Sequence, residues 1–194
     1  MGWKGEIEEE HEIIEKATKA LLYSMAIKRL LGDPSLFQEV LPFYVDFYRN
    51  FVVRCHHKKE DLIAEEAKFG EVVDQHPALS KLAEDAFKRE ELLGDLVEAM
   101  LLHVKEERKR WLSKVDGDYS EILEEVEEEI GTDVHRRYVS LVQKLYGKVT
   151  EKYEVTDLLG GKPGEGRGVL ITDKEPPAQR RVQISQGIWA SVGD

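Results

Sequence analysis

The strongest constraint on the fold is a row of residues at helical spacing: Leu41, Val45, Tyr48, Val52, His56, Glu60, Ile63 and Ala67. Steps of four and three keep one face of an α-helix together, so the row marks a buried stripe. Two of its members are an imidazole and a carboxylate. His56 and Glu60 stand one turn apart and about 40° apart around the axis, so both can reach a single point inside a helical assembly. Burying a carboxylate without a partner costs roughly several kcal/mol, or the group gives up its charge. A bound cation would remove that penalty. The stretch Phe51-Val-Val-Arg-Cys-His-His-Lys-Lys-Glu60 also reads as the charged face of a surface helix. The other helices decide between the two.

The first helix spans residues 5–31, with Ile7, His11, Ile14, Thr18, Leu21 and Met25 on its apolar stripe. Gly32-Asp33-Pro34 stops it, with Asp33 or Ser35 placed to cap the next. That second helix runs over residues 35–69 and carries His56 and Glu60 towards its end. A short connection makes antiparallel neighbours. The start of the first helix and the end of the second then share one end of a bundle, which brings His11, His56 and Glu60 to similar height. Gly70 to Pro77 reads as a loop, and a third helix starts near Ala78 with Leu79, Leu82, Ala86, Leu92 and Leu93 as apolar positions. Gly94-Asp95 interrupts it. The segment from Leu96 to Val115 places Leu96, Ala99, His103 and Glu107 on one stripe, repeating the His-x-x-x-Glu spacing. Two such pairs together with His11 make an accidental charged face a poor explanation. His57 reads as outward-facing or as a hydrogen-bonding support to a ligand. His76, in the loop, and His135, beyond the core set, read as structural, and Cys55 reads as a small buried residue.

Only 17 residues lie between Asp85 and His103. A hairpin at Gly94-Asp95 would bring the two level. One unbroken helix over 78–115 would instead hold them about 27 Å apart at 1.5 Å per residue. The His103–Glu107 pair would then complete a site in a neighbouring subunit, as in a domain-swapped homodimer. The hairpin within one chain is the form expected. Beyond Asp116-Gly-Asp118, a short acidic helix (119–130) presents Ile122, Val126 and Ile130. A further helix after Gly131 presents Val134, Tyr138, Leu141, Leu145 and Val149.

The net charge of −11 argues against nucleic-acid binding by the helices and against an anionic membrane surface. All of that excess sits before residue 155, since residues 155–194 balance five Lys and Arg against five Asp and Glu. The single cysteine excludes an intramolecular disulfide, and no apolar run approaches 18 residues, so a cytoplasmic protein is expected. A charged fraction of 35% with one Asn resembles thermophile composition. Residues 155–194 hold seven of the 15 glycines and three of the six prolines. Gly168–Thr172 and Arg181–Ser185 have the composition of short strands around Pro176-Pro177.

Glu10-His11, Cys55-His-His-Lys-Lys-Glu60, Leu82-Ala-Glu-Asp-Ala-Phe-Lys-Arg89, His103-Val-Lys-Glu-Glu107 and Glu129–Tyr138 together resemble the hemerythrin-like family, the HHE cation-binding domain. The likeness covers residues 5 to about 150. It implies an all-α, up-down four-helix bundle over 5–115 with additional helices over 118–154, while the Gly/Pro-rich tail over 155–194 has no counterpart in it. It also implies a non-haem di-iron centre: His11, His56 and His103 as terminal imidazole ligands, Glu60 and Glu107 as bridging or capping carboxylates. Imidazole with carboxylate suits Fe, Mn or Zn. Such centres bind oxygen or nitric oxide, sense iron or oxygen, or store iron. The sequence departs from the family pattern at Asp85, which stands where a histidine is expected on the third helix. Asp85 is either an oxygen ligand of shorter reach or the mark of a lost site. If the site is lost, the chain reads as an interaction protein. Its tail, through Arg167, Arg180, Arg181, Ile188 and Trp189, would dock on a large assembly such as a ribonucleoprotein. No nucleophile elbow or phosphate loop is present, so an enzyme is the weaker expectation.

Overall fold

The computed structural model describes residues 2–157, 168–172 and 181–192; Arg167, Arg180 and Pro176-Pro177 lie outside them. Helix α1 (Trp3–Leu31) is the axis of the molecule. Ala20 to Ile27 are buried without a break, and a helix apolar all round has to be covered on every side. Helices α2 (Ser35–Phe47), α5 (Leu93–Glu106) and α7 (Thr132–Lys152) pack along it. Strands β2 (Gly168–Thr172), β3 (Arg181–Gln183) and β4 (Trp189–Val192) close the remaining face. α1 ends at Gly32, whose left-handed φ of 69° lets its N–H donate to the Lys28 carbonyl at 3.2 Å.

α2 continues through a π-helical segment (Tyr48–His57) into α3 (Lys58–Ala67), so the expected second helix is continuous but changes pitch. A 3-10 turn (Val73–Gln75) leads into α4 (His76–Ala86), which starts two residues before the expected Ala78. The chain turns back between Phe87 and Leu92, earlier than at Gly94-Asp95, and α4 packs on α5 of the same chain. The unbroken 78–115 helix does not form. Gly94 instead starts α5 against the tail: a Cβ there would lie 1.8 Å from the Ile184 carbonyl oxygen. A second π-helical segment (Glu107–Leu112) extends α5, and α6 (Ser120–Ile130) precedes α7. On α7, Tyr138, Val142, Leu145 and Val149 are buried, whereas Val134 and Leu141 are exposed. No helix among the described residues is long and apolar enough to cross a membrane.

The tail forms a four-stranded sheet in the order β1-β2-β4-β3, with β1 (Glu154–Asp157) antiparallel to β2, β2 parallel to β4, and β4 antiparallel to β3. Alternate side chains of a strand share a face. Val169 and Ile171, paired with Ala190 and Val192, are buried and join the main core with Ile184 and Ile188. Ile188 is fully buried and so is not part of an exposed docking face; the Arg181 guanidinium lies 4.2 Å over the Trp189 ring.

The apolar interior is divided. The main core takes α1 from Ile13 onward, the second helix up to Val52, and α5 up to Val104. A smaller core takes Trp3 and Ile7, then Ile63 and Ala64, then Trp111 and Leu112, with Val72, Val73, Val115 and Leu123. The Trp3 indole donates to the Gly117 carbonyl at 2.9 Å and the Trp111 indole to that of Phe69 at 2.9 Å. Along each helix buried polar residues lie between the two cores: Glu10 and His11, then His56, His57, Lys59 and Glu60, and Glu107. The smaller core is an apolar plug over that polar layer.

Candidate metal centre

Each helix delivers its ligand-type residues to this layer for a local reason. On α1, His11 follows Ile7 by one turn on the stripe and is fully buried. His56 and His57 are consecutive, and an α-helix would separate them by 100°. They end a π-helical segment, where i→i+5 bonding fits more residues into each turn and narrows that angle. Both are therefore buried, at 0% and 2% exposure. Glu60 follows His56 at i+4 on α3. His76 opens α4, with Pro77 in the first turn, where a missing N–H costs nothing. His103 ends α5 and Glu107 begins the second π-helical segment.

These residues form two adjoining groups: His11, His56, Glu60 and Glu107 in one, His57, His76 and His103 in the other. Within each group, one ligand atom per residue lies within 4.8 Å of all the others. The two carboxylates join them. Glu60 Oε1 is 3.3 Å from His11 Nε2, while its Oε2 is 3.3 Å from His56 Nε2 and 3.4 Å from His76 Nε2. Glu107 Oε2 is 3.3 Å from His11 Nε2, while its Oε1 is 3.1 Å from His76 Nε2 and 2.8 Å from His103 Nε2. Several of these contacts are close without being aligned. His11 Nε2, His56 Nε2, His103 Nε2, both nitrogens of His57, both oxygens of Glu60 and Glu107 Oε2 have no hydrogen-bond partner among the described residues. Buried polar atoms are normally satisfied. Atoms that approach one another while failing to bond point at a shared position between them, where a metal ion could be held.

Outer partners fix the imidazoles. His56 Nδ1 meets Glu10 Oε2 at 2.9 Å, His76 Nδ1 meets Asp61 Oδ1 at 2.7 Å, and His103 Nδ1 meets Gln75 Oε1 at 3.3 Å. Such partners set the ring orientation and tautomer of a metal-binding histidine. His57 has none; its ring stacks on His76 at 3.7 Å between centroids, inclined by 10°. Burial opposes a charge on His11, but the carboxylates of Glu107, Glu60 and Glu8 raise its pKa well above the ordinary imidazole value. Burial likewise opposes charge on His76, and Asp61, Glu107 and Glu60 overcome it, pushing its pKa up to about 11. His57 is held well below the usual value by burial, then by the neighbouring imidazoles of His76 and His56. Burial works against the Glu107 carboxylate, yet His103, His11 and His76 hold its pKa well below the normal range.

A third group, Glu10, Cys55 and His135, adjoins the first. Glu10 Oε1 accepts from Lys59 at 2.6 Å and meets His135 Nε2 at 3.0 Å. The fully buried Lys59 ammonium, which also donates to Glu127 at 2.7 Å, already supplies the cation there. Burial and the Glu10 charge push the Cys55 thiol up to about 12, so it stays an inert thiol at neutral pH.

Of the residues singled out from sequence, His11, His56, Glu60, His103 and Glu107 come together, and Asp85 does not. Asp85 is exposed on α4 and belongs to neither group. The imidazole expected from the third helix comes from His76, nine residues earlier, and His57 adds a fifth. Pro77 was the signal for His76, because proline marks the first turn of a helix and moves His76 out of the loop. His57 had no such signal, since helical periodicity at 3.6 residues per turn puts it 100° away from its neighbour, off the buried stripe. Compared with protein-family models, curated proteins and solved structures, the chain matches none of them.

Proposed function

We propose that the chain is a hemerythrin-like metal protein whose helices form an up-down bundle around a non-haem di-iron centre. The observation that carries this reading is the pair of carboxylates, Glu60 and Glu107, each facing imidazoles of both groups. Glu107 turns Oε2 to His11 and Oε1 to His76 and His103, and Glu60 turns Oε1 to His11 while its Oε2 lies between His56 and His76, so both would be placed to bridge two cations. One position has His11, His56 and two carboxylate oxygens; the other has His57, His76, His103 and two carboxylate oxygens. A five-donor set exceeds the four-coordinate tetrahedral preference of structural zinc and favours iron or manganese. Iron bound there would supply redox and oxygen or nitric oxide chemistry. The protein's own part is to hold the imidazoles in orientation through Glu10, Asp61 and Gln75, and to keep bulk water out with the Trp3–Trp111 plug. The action proposed is oxygen, nitric oxide, redox or iron sensing and handling.

The test is elemental analysis of protein purified without chelator. Two equivalents of iron or manganese per chain are expected for the native sequence and for Asp85→Asn, and about one for His76→Ala. No transition metal above trace would refute the reading.

A further inference from the structure

A groove of about 640 Å³ opens on the surface where the end of α3, the following loop and the start of α4 meet. Two of its lining residues, His57 and His76, also belong to the three-imidazole group, so the groove reaches the centre from outside. The Trp3 and Ile7 end of α1 is covered by the plug, and a smaller pocket of about 290 Å³ along α1 reaches Glu10 and His135 but is lined by no member of either group. The rim of the groove carries three carboxylates, Asp61, Glu65 and Asp74, all exposed, against the single cation Lys68. An acidic rim by itself indicates no ligand. Here it leads to His57, which is 2% exposed and has both ring nitrogens without a partner. Carboxylates outside and an unsatisfied imidazole at the inner end form a graded series of ligands, weak and hydrated first, then strong and dry.

We propose that this groove is the inlet through which divalent metal ions load the centre. Glu65 and Asp74 concentrate the hydrated ion, and His57 is the first inner ligand it meets. The three-imidazole position then fills before the His11–His56 position, which lies deeper. The proposal rests on the di-metal reading. Glu65 and Asp74 take no part in the final ligand set, so they control the rate of loading and not its extent.

Stopped-flow mixing of Co(II) with metal-free, full-length protein tests this through the visible absorption of bound cobalt. Clefts of one charge sign raise the on-rate of an oppositely charged ligand by about 10 to 10³. The double variant Glu65→Gln/Asp74→Asn is expected to load about tenfold more slowly at low ionic strength, within that range. Lys68→Gln is expected to load faster by about threefold, on the same grounds. Both differences should shrink to within about twofold at 1 M salt, where the Debye length is about 3 Å. All three proteins should end with two equivalents bound. A double variant that loads at the native rate overturns the proposal. A deficit that persists at high salt, or a lower final stoichiometry, also overturns it, because the carboxylates would then be structural or ligating. Native protein that takes up no cobalt at all would refute the di-metal reading itself.

Discussion

Loading the centre with metal at neutral pH should expel about two protons per chain. Without metal, the carboxylates of Glu60 and Glu107 lie fully buried, and the charge opposing them comes from the protein. His11 and His76 supply it, since surrounding carboxylates raise both imidazoles above neutrality against the cost of burial. His57 is held neutral by burial and contributes no proton. A metal ion needs the unprotonated nitrogen, so His11 and His76 each release one proton, giving about two in all. Affinity then rises with pH by about two log units per pH unit, or about 2.7 kcal/mol at 1.36 kcal/mol per proton and pH unit. Titration calorimetry at pH 7 in two buffers of different ionisation enthalpy reads the number directly. Heats that do not depend on the buffer would refute the charge assignment.

The same assignment fixes the pH profile of the metal-free fold. A raised imidazole pKa stabilises fully below the unfolded value of 6.5, and the contribution is lost as pH climbs through the folded value, about 11 for His76. A lowered carboxyl pKa works from the other side. The contribution of Glu107 is present above 4.5 and is lost as pH falls below it. The metal-free protein should therefore be most stable, as far as these groups decide, between about pH 4.5 and 6.5. Bound metal should move that optimum upward. Denaturant midpoints across pH, with and without metal, check the shift.

Two further substitutions separate the centre from its frame. Glu10→Gln removes the charged acceptor from His56 Nδ1, and metal affinity should fall by about 10- to 100-fold, read by competition with a chromophoric chelator. Gly94→Ala places a methyl group where the Ile184 carbonyl stands 1.8 Å away. It should cost about 1–3 kcal/mol in a denaturant melt, as overpacking does, with two metal equivalents still bound.

The centre was legible in the sequence wherever ordinary helical spacing carried it. His56–Glu60 and His103–Glu107 are i,i+4 pairs on apolar stripes, and the short loop after α1 brings His11 level with the first pair. The part that escaped depends on the backbone leaving that spacing. Tyr48–His57 is wound as a π-helix, so two consecutive histidines serve two different groups, and no α-helical pattern separates an inward His57 from an outward one. The position of α4 escaped for a related reason. Val72 and Val73 are buried in the plug, which tightens the chain between α3 and α4 and starts the helix at His76. The turn back to α5 consequently falls at Phe87–Leu92, and Asp85, level with His103 in the sequence reading, is carried to the surface.

The tail was legible in part: strands form at Gly168–Thr172 and Arg181–Gln183, where composition places them, but the face they cover was not legible. α1 carries a run from Ala20 to Ile27 that is buried without a break, and α2, α5 and α7 leave one face of it to the strands. Fully burying a large apolar side chain is worth about 1.5–3 kcal/mol, and Leu21, Leu22, Met25 and Ile27 all reach 0–1% exposure. The strands are placed by that demand: Val169, Ile171, Ala190 and Val192 form their inward row, and Gly94 and Gly32 leave room where backbones meet and turn. Ser185 Oγ donating to Glu98 at 2.5 Å and Arg29 donating to the Gln183 carbonyl at 3.0 Å then pin the sheet edge to α5 and α1. The C-terminal segments thus act as the fourth wall around α1. They brace the same helix that, at its other end, carries His11 into the centre.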